Sequence, residues 1–150
     1  MNFDEKAVDR IKKLEREVER LRVKESGKFI ALTTPLTSTS WDGNAYSTVG
    51  KTLIDLSSVF GTPAGIKAVD IYLECRDSGS AATGTCVVIL APTDTKDLGK
   101  AIHIGYQPNN SITTLNSVIP CDANGDIYYQ IYASGTGTMT VKLQIWGYWL

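Results

Sequence analysis

The chain has 150 residues and a formal net charge of −1, from 15 basic and 16 acidic side chains, with three cysteines and one histidine. That length is one domain with an appendage. It offers no 18-residue apolar run to span a membrane as a helix, no interleaved basic and aromatic residues for a nucleic-acid groove, and too few cysteines for a disulfide scaffold. A single histidine also argues against histidine-centred catalysis or a histidine-rich metal site. No catalytic residue, metal ligand or cofactor is assigned.

The charges are unevenly placed. Sixteen of the 31 lie within Met1–Lys28, nine basic and seven acidic, and the other 122 residues share fifteen. The chain therefore divides at about Ser26-Gly27 into a charged stalk, 1–27, and a weakly charged domain, 28–150.

In the stalk, Ala7, Ile11, Leu14, Val18 and Leu21 recur at spacings that alternate between four and three. This is the 3.5-residue period of a coiled-coil seam, with Ile11 and Val18 at a and Ala7, Leu14 and Leu21 at d. The g and e positions set Arg10 against Glu15, and Glu17 against Arg22, of a parallel neighbour; both pairs attract. A β-branched a with Leu at d leans towards a dimer. Against that, Arg10-Ile11-Lys12-Lys13-Leu14-Glu15 resembles the Arg-h-x-x-h-Glu motif of three-stranded parallel coiled coils. There the arginine stem covers the seam and its planar guanidinium meets the glutamate of the next helix. The expectation is a parallel homotrimer joined through Ala7, Arg10, Ile11, Leu14, Glu15, Val18 and Leu21. Three heptads are marginal in water, so the domain behind them should help to hold the trimer.

From Phe29 onward no helical period appears. Lys28–Thr33 reads as extended and Tyr46–Phe60 as one or two strands. Ile66–Arg76 is the cleanest strand, with Val69, Ile71, Leu73 and Cys75 alternating with Asp70, Tyr72, Glu74 and Arg76. Thr85–Ala91 is almost wholly apolar, and Lys100–Gln107 and Ile112–Ile119 are weaker. Asp126–Ala133 and Met139–Trp149 alternate again, with Ile127, Tyr129 and Ile131, then Met139, Val141, Leu143 and Ile145, in the core phase. Period two with one buried face is the antiparallel signature. Residues 77–84 read as a hairpin connector, Asn124-Gly125 as a type I′ turn and Gly135-Thr136-Gly137 as a tight return. About eight short strands predict a mainly β fold, an antiparallel β-sandwich of jelly-roll type. Its last strand should be central or packed at an interface, because a bare apolar edge aggregates.

A heptad stalk before a compact Thr/Ser/Gly-rich β domain that ends in Gln144-Ile145-Trp146-Gly147-Tyr148-Trp149-Leu150 resembles the distal part of a bacteriophage fibre or receptor-binding protein. The resemblance implies a non-enzymatic virion protein on the particle surface. Its stalk would join three chains and meet other virion proteins through the N-terminus, and its β domains would meet a host surface receptor, a glycan or a protein. A head fibre or fibre foldon without a ligand has the same plan. So do secreted C1q/TNF-like trimers, which carry a signal sequence that the N-terminal residues here do not resemble. Neither nucleic acid nor membrane insertion is expected.

The candidate surface residues are aromatic. Tyr128, Tyr132, Trp146 and Tyr148 lie on the phase opposite the core residues of the last two strands. If those strands pair, they form one patch, either an interface or a sugar-stacking surface. Trp41, in Trp41-Asp42-Gly43-Asn44, is expected in a loop where it could contact a ligand. Asp122-Ala123-Asn124-Gly125-Asp126 imitates the start of a calcium loop but lacks the downstream glutamate, so it reads as a turn. Cys75 and Cys86 could face each other, with free thiols as the default. His103 reads as a structural or solvent-facing imidazole. Asn109-Asn110-Ser111 is a sequon with meaning only in a secretory context.

Overall fold

The computed structural model describes residues 3–25, 27–80, 86–104 and 108–150, with the side chains of 3–5, 22, 23, 25 and 101–104 outside the description. Helix α1 spans Phe3–Glu25 and is followed, among the described residues, by nine strands: β1 (Phe29–Leu36), β2 (Asp42–Tyr46), β3 (Val49–Ile54), β4 (Ala68–Asp77), β5 (Val87–Ala91), β6 (Ala101–Ile104), β7 (Ile112–Pro120), β8 (Ile127–Tyr132) and β9 (Met139–Trp149). A 3-10 turn at Thr39–Trp41 joins β1 to β2. One short helix, α2 (Leu56–Phe60), lies after β3 where a second strand was expected. The sequence explains α2 in retrospect. Asp55 caps it, its carboxylate accepting from the Ser58 N–H at 2.9 Å, and Gly61 closes it at φ +75°.

The strands form two antiparallel sheets. One has the order β1-β9-β4-β7, with β2 continuing along the edge of β9 that β1 opens; the other has the order β3-β8-β5-β6. From β2 on, every connection but β5 to β6 passes from one sheet to the other, the two-sheet connectivity of a jelly-roll-like sandwich. The expected returns at 77–84, 124–125 and 135–137 therefore join strands of opposite sheets, with 81–84 outside the described residues. At 122–125 the turn closes through the Gly125 N–H on the Asp122 carbonyl at 3.1 Å. Only Gly125 takes positive φ there, at +91°, so the turn is not type I′, which needs two such residues.

The core lies between the sheets. Val69, Ile71, Leu73 and Cys75 from β4 and Met139, Val141, Leu143 and Ile145 from β9 meet Ile54, Val88, Leu90, Ile127 and Ile131 from the facing sheet, all almost fully buried. Each fully buried Leu, Ile or Val contributes about 1.5–3 kcal/mol. The strict alternation along β4 and β9 fixes their register, since a one-residue slip would turn these side chains into water. Strand β9 is central, one of the two placements its sequence allowed, with β1 and β2 on one side and β4 on the other.

Helix α1 is different. Ile11, Leu14, Val18 and Leu21 are 55, 62, 50 and 49% exposed, so the sandwich does not cover its apolar stripe. Its junction with the sandwich is short and bonded. The Gly27 N–H donates to the Leu150 carbonyl at 2.6 Å, and the Leu150 N–H to the Lys28 carbonyl at 3.1 Å.

Candidate functional site

The outer face of the larger sheet carries a hollow of about 550 Å³ lined by Asp70, Tyr72, Glu74, Asn116, Lys142, Gln144 and Trp146 over Ile71. Strand pairing places these residues in rows. Tyr72 of β4 stands between Asn116 of β7 and Gln144 of β9, and Glu74 stands between Thr114 and Lys142. Local bonds hold several of them. The Tyr72 hydroxyl donates to Glu74 Oε2 at 2.9 Å, and the Trp146 Nε1–H donates to Gln144 Oε1 at 3.2 Å. Lys142 Nζ lies 3.4 Å from Asp42 Oδ1. The hydrogen bond to Glu74 is the main cause that raises the Tyr72 pKa, with burial and the Glu74 charge adding to it. Two aromatic side chains, two carboxylates, two amides and an ammonium converge here. That set can bond hydroxyls and present apolar ring surface.

Trp146 sits on this face at a bulge. Asp70 pairs with Gly147 and Ile71 with Ile145, which leaves Trp146 as an extra residue in β9. The bulge changes the phase of everything after it. Trp146 is 39% exposed, whereas Tyr148, paired with the buried Val69, packs against the core. The sequence reading put both on the outer phase by assuming unbroken alternation. Trp149 turns outward instead, its ring 4.4 Å from that of Phe29.

The single aromatic patch is also corrected. β8 and β9 do not pair; they belong to opposite sheets. Tyr128 and Tyr132 therefore lie on the outer side of the smaller sheet, away from Trp146. The segment between β5 and β6 folds back over that side. Asp97, at φ +60°, accepts from the Tyr132 hydroxyl at 2.7 Å and the Gln130 amide at 3.0 Å, while its own N–H donates to Gln130 Oε1 at 3.0 Å. The Tyr132 hydrogen bond is the main cause that lowers the Asp97 pKa. Lys51 Nζ donates to the Leu98 carbonyl at 2.6 Å and ties the segment down from β3. Tyr132 is thus a structural hydroxyl, and Gln130 is a buried amide whose partners are satisfied.

Trp41 is not a loop contact. It is 5% exposed, stacked on Tyr46 at 5.2 Å and edge-on to Tyr129 at 4.8 Å. Burial, and to a lesser degree Tyr129, pushes the Tyr46 pKa up to about 12. The acidic turn at 122–126 spends its carboxylates on backbone. Asp122 accepts from the Asn124 and Asp126 N–H groups, and Asp126 accepts from the Leu56 N–H at 2.9 Å. The three thiols are free. His103 pairs with Val88 in the ladder, and its side chain lies outside the described residues.

Of the stalk residues, Ala7, Arg10, Ile11 and Leu14 line an open groove on α1, and Val18 and Leu21 continue the stripe. Glu17 is held by Arg20 of the same helix at 2.6 Å, an exposed pair that contributes little by itself.

No family model matches the chain, and no curated protein matches it by sequence. Among solved structures it is similar to the coat protein of Tobacco streak virus, at 6% identity and a TM-score of 0.39, covering 83% of this chain and 87% of that one. A likeness at that level decides neither fold nor function.

Proposed function

We propose that the chain is a non-enzymatic display module of a virion. Three parallel copies join through α1, and their sandwiches stand together at one end as a fibre tip that meets a host surface receptor. The observation that carries this reading is the uncovered stripe on α1. Four large apolar side chains about half or more exposed on one helical line, flanked by attracting g and e charges, form a seam that lacks only its partners. Two further points support the head as the working end. The parallel charge pairing puts all sandwiches at one end, and the Trp146 hollow offers a recognition surface with mixed aromatic and polar lining.

Sedimentation equilibrium over a range of concentrations tests the assembly. The expected mass is three times 16.3 kDa, reduced to one chain by Leu14→Asp. A monomer at every concentration overturns the proposal. Binding of the trimer to a panel of glycans and host-cell surface proteins tests the role of the head. Saturable binding that Trp146→Ala abolishes, with the trimer intact, is the expected result. Binding unaffected by that change would move recognition away from the hollow.

A further inference from the structure

We infer that an apolar band on the outer face of the larger sheet, at its stalk end, is a second interface between copies of this chain, head against head. The inference rests on the assembly proposed above and adds to it a surface on the sandwich itself.

The band follows from the pairing. Pro120, Ala68, Trp149 and Phe29 are direct neighbours across β7, β4, β9 and β1, and this row contains no polar side chain. The next row, Val118, Asp70, Gly147 and Ala31, contains one. At about 4.8 Å between strands, the first row is about 14 Å wide. Phe29 is 43% exposed and Val118 41%. The Phe29 ring lies over Gly147, where an added Cβ would sit 2.5 Å from it, and touches Trp149. Four strands thus present an almost continuous apolar strip, while the rows beyond it towards the far end, those of Tyr72 and Glu74, turn polar. A monomer gains nothing from that division.

The position of the strip says what covers it. It begins four residues after Glu25, at the end of the sheet to which Gly27 and Leu150 fasten the helix. Packed helices lie about 8–10 Å apart. From Glu25 to Lys28 the chain takes three Cα steps, about 11 Å at most. Three helices joined along their seam would therefore hold the Lys28 backbones of neighbouring copies within about 32 Å of one another. A sandwich has two sheets about 10 Å apart, with a layer of side chains on each outer face. Bodies of that size, tethered that closely, are brought within reach of one another beside the stalk. The apolar row is the surface that each brings to this point. Asp70 and the hollow lie farther along the same face, where they stay hydrated at the rim and avoid the cost of burying unpaired carboxylates.

Hydroxyl-radical footprinting of the full-length chain tests this, with the Leu14→Asp monomer and wild-type protein diluted to monomer as two references. In the trimer, Phe29, Trp149, Pro120 and Val118 are expected to label several-fold less than in either reference. Leu53 and Leu98, exposed on the other sheet and its loop, should label equally in all three. Phe29→Glu should raise the concentration of half-dissociation at least tenfold with the sandwich still folded. A trimer whose Phe29 and Trp149 label as in the monomer overturns the inference and leaves the assembly standing. Wild-type protein that never forms a trimer overturns both.

Discussion

Replacing Gly125 by alanine probes how the turn that carries β7 into β8 is seated on the rest of the sandwich. Its φ is +91°, and an added Cβ would lie 2.7 Å from Gly65 N, 2.8 Å from Ile66 N and 2.9 Å from Gly65 Cα. All three are backbone atoms and cannot rotate away. The approach is close because the Gly65 N–H donates to the Asn124 carbonyl at 3.2 Å. Gly61 is the internal control, with φ +75° and nothing within 4 Å of its added Cβ. Left-handed backbone alone costs an alanine about 1 kcal/mol. Forcing two backbone segments apart adds about 2 kcal/mol. Gly61→Ala should then lose about 1 kcal/mol and Gly125→Ala about 3 kcal/mol. For a chain of this size that corresponds to roughly 2–4 °C against 6–12 °C in Tm. The comparison is best made in the Leu14→Asp background, because the proposed assembly would make Tm depend on concentration. Urea denaturation followed by tryptophan fluorescence gives the two values. Equal losses would refute the reasoning, because strain alone would then account for both glycines.

Asp77 is almost fully buried and accepts hydrogen bonds from the Gly79 N–H, the Ser134 N–H and hydroxyl, and the Thr138 hydroxyl. Asp77→Ala leaves these donors without an acceptor and should cost about 3 kcal/mol. Burial acts to raise the Asp77 pKa, but the hydrogen bonds from Ser134, Gly79 and Thr138 outweigh it and hold the carboxyl below its usual range. A depressed folded value stabilises fully above the unfolded pKa of about 3.9 and is lost as pH falls through the folded value. Urea midpoints between about pH 2 and 6 should therefore fall more steeply below pH 4 in wild type than in Asp77→Asn; parallel curves would contradict this. Burial, with Asp122 and Asp126 adding to it, pushes the Cys121 thiol up to about 12, and burial likewise raises Cys75 and Cys86. A thiol-exchange reagent at pH 8 should find no fast-reacting cysteine before denaturation, and one stoichiometric fast thiol would contradict the placement. Trp41→Ala should cost about 4 kcal/mol through lost core packing. It should leave any binding by the folded fraction unchanged, and lost binding without lost stability would restore Trp41 as a surface contact.

Much of the fold was legible because its strands obey local rules. The alternation in β4, β8 and β9 named most of the core correctly, and the C-terminal strand, expected to be central or packed at an interface, is central. Pairing was not legible. Nothing local to Asp126–Ala133 or Met139–Trp149 says that the turn between them crosses from sheet to sheet, so adjacency in sequence was mistaken for adjacency in the sheet. α2 was missed because five residues are too few to show a 3.6-residue period. Asp55 with Ser57 and Ser58, followed by Gly61, was the available signal. Trp41 was placed in a loop where it could contact a ligand, because of its polar neighbours Asp42 and Asn44. Its partners in the core, Tyr46 and Tyr129, are 5 and 88 residues away, and only the fold joins the second to it. The hollow was half visible. Trp146 was singled out, while Tyr72, Glu74 and Asn116 passed as ordinary solvent-facing residues because only strand pairing brings Tyr72 and Glu74 of β4 beside Asn116 of β7 and the β9 side chains.

The bulge at Trp146 and Gly147 is the point at which these local and global levels meet. Unbroken alternation from Met139 would have sent Tyr148 outward and Trp149 towards the core. One extra residue reverses both. Tyr148 then closes the core at the stalk end beside Val69, and Trp149 joins Phe29 on the outer face. The missing side chain of Gly147 gives the Phe29 ring a floor to lie on. A single irregularity thus provides two outward tryptophans with different surroundings. Trp146 borders the polar hollow, while Trp149 lies in the apolar row beside the helix junction. The division of that face into a wet part and a dry part is therefore written into the backbone of β9. It also supplies a use for the weak charge of residues 28–150. A sandwich with so few charges is poorly protected against association as a free monomer. In the proposed assembly, a charged stalk would set partner number and direction, and the same surface would meet copies of itself in one defined arrangement.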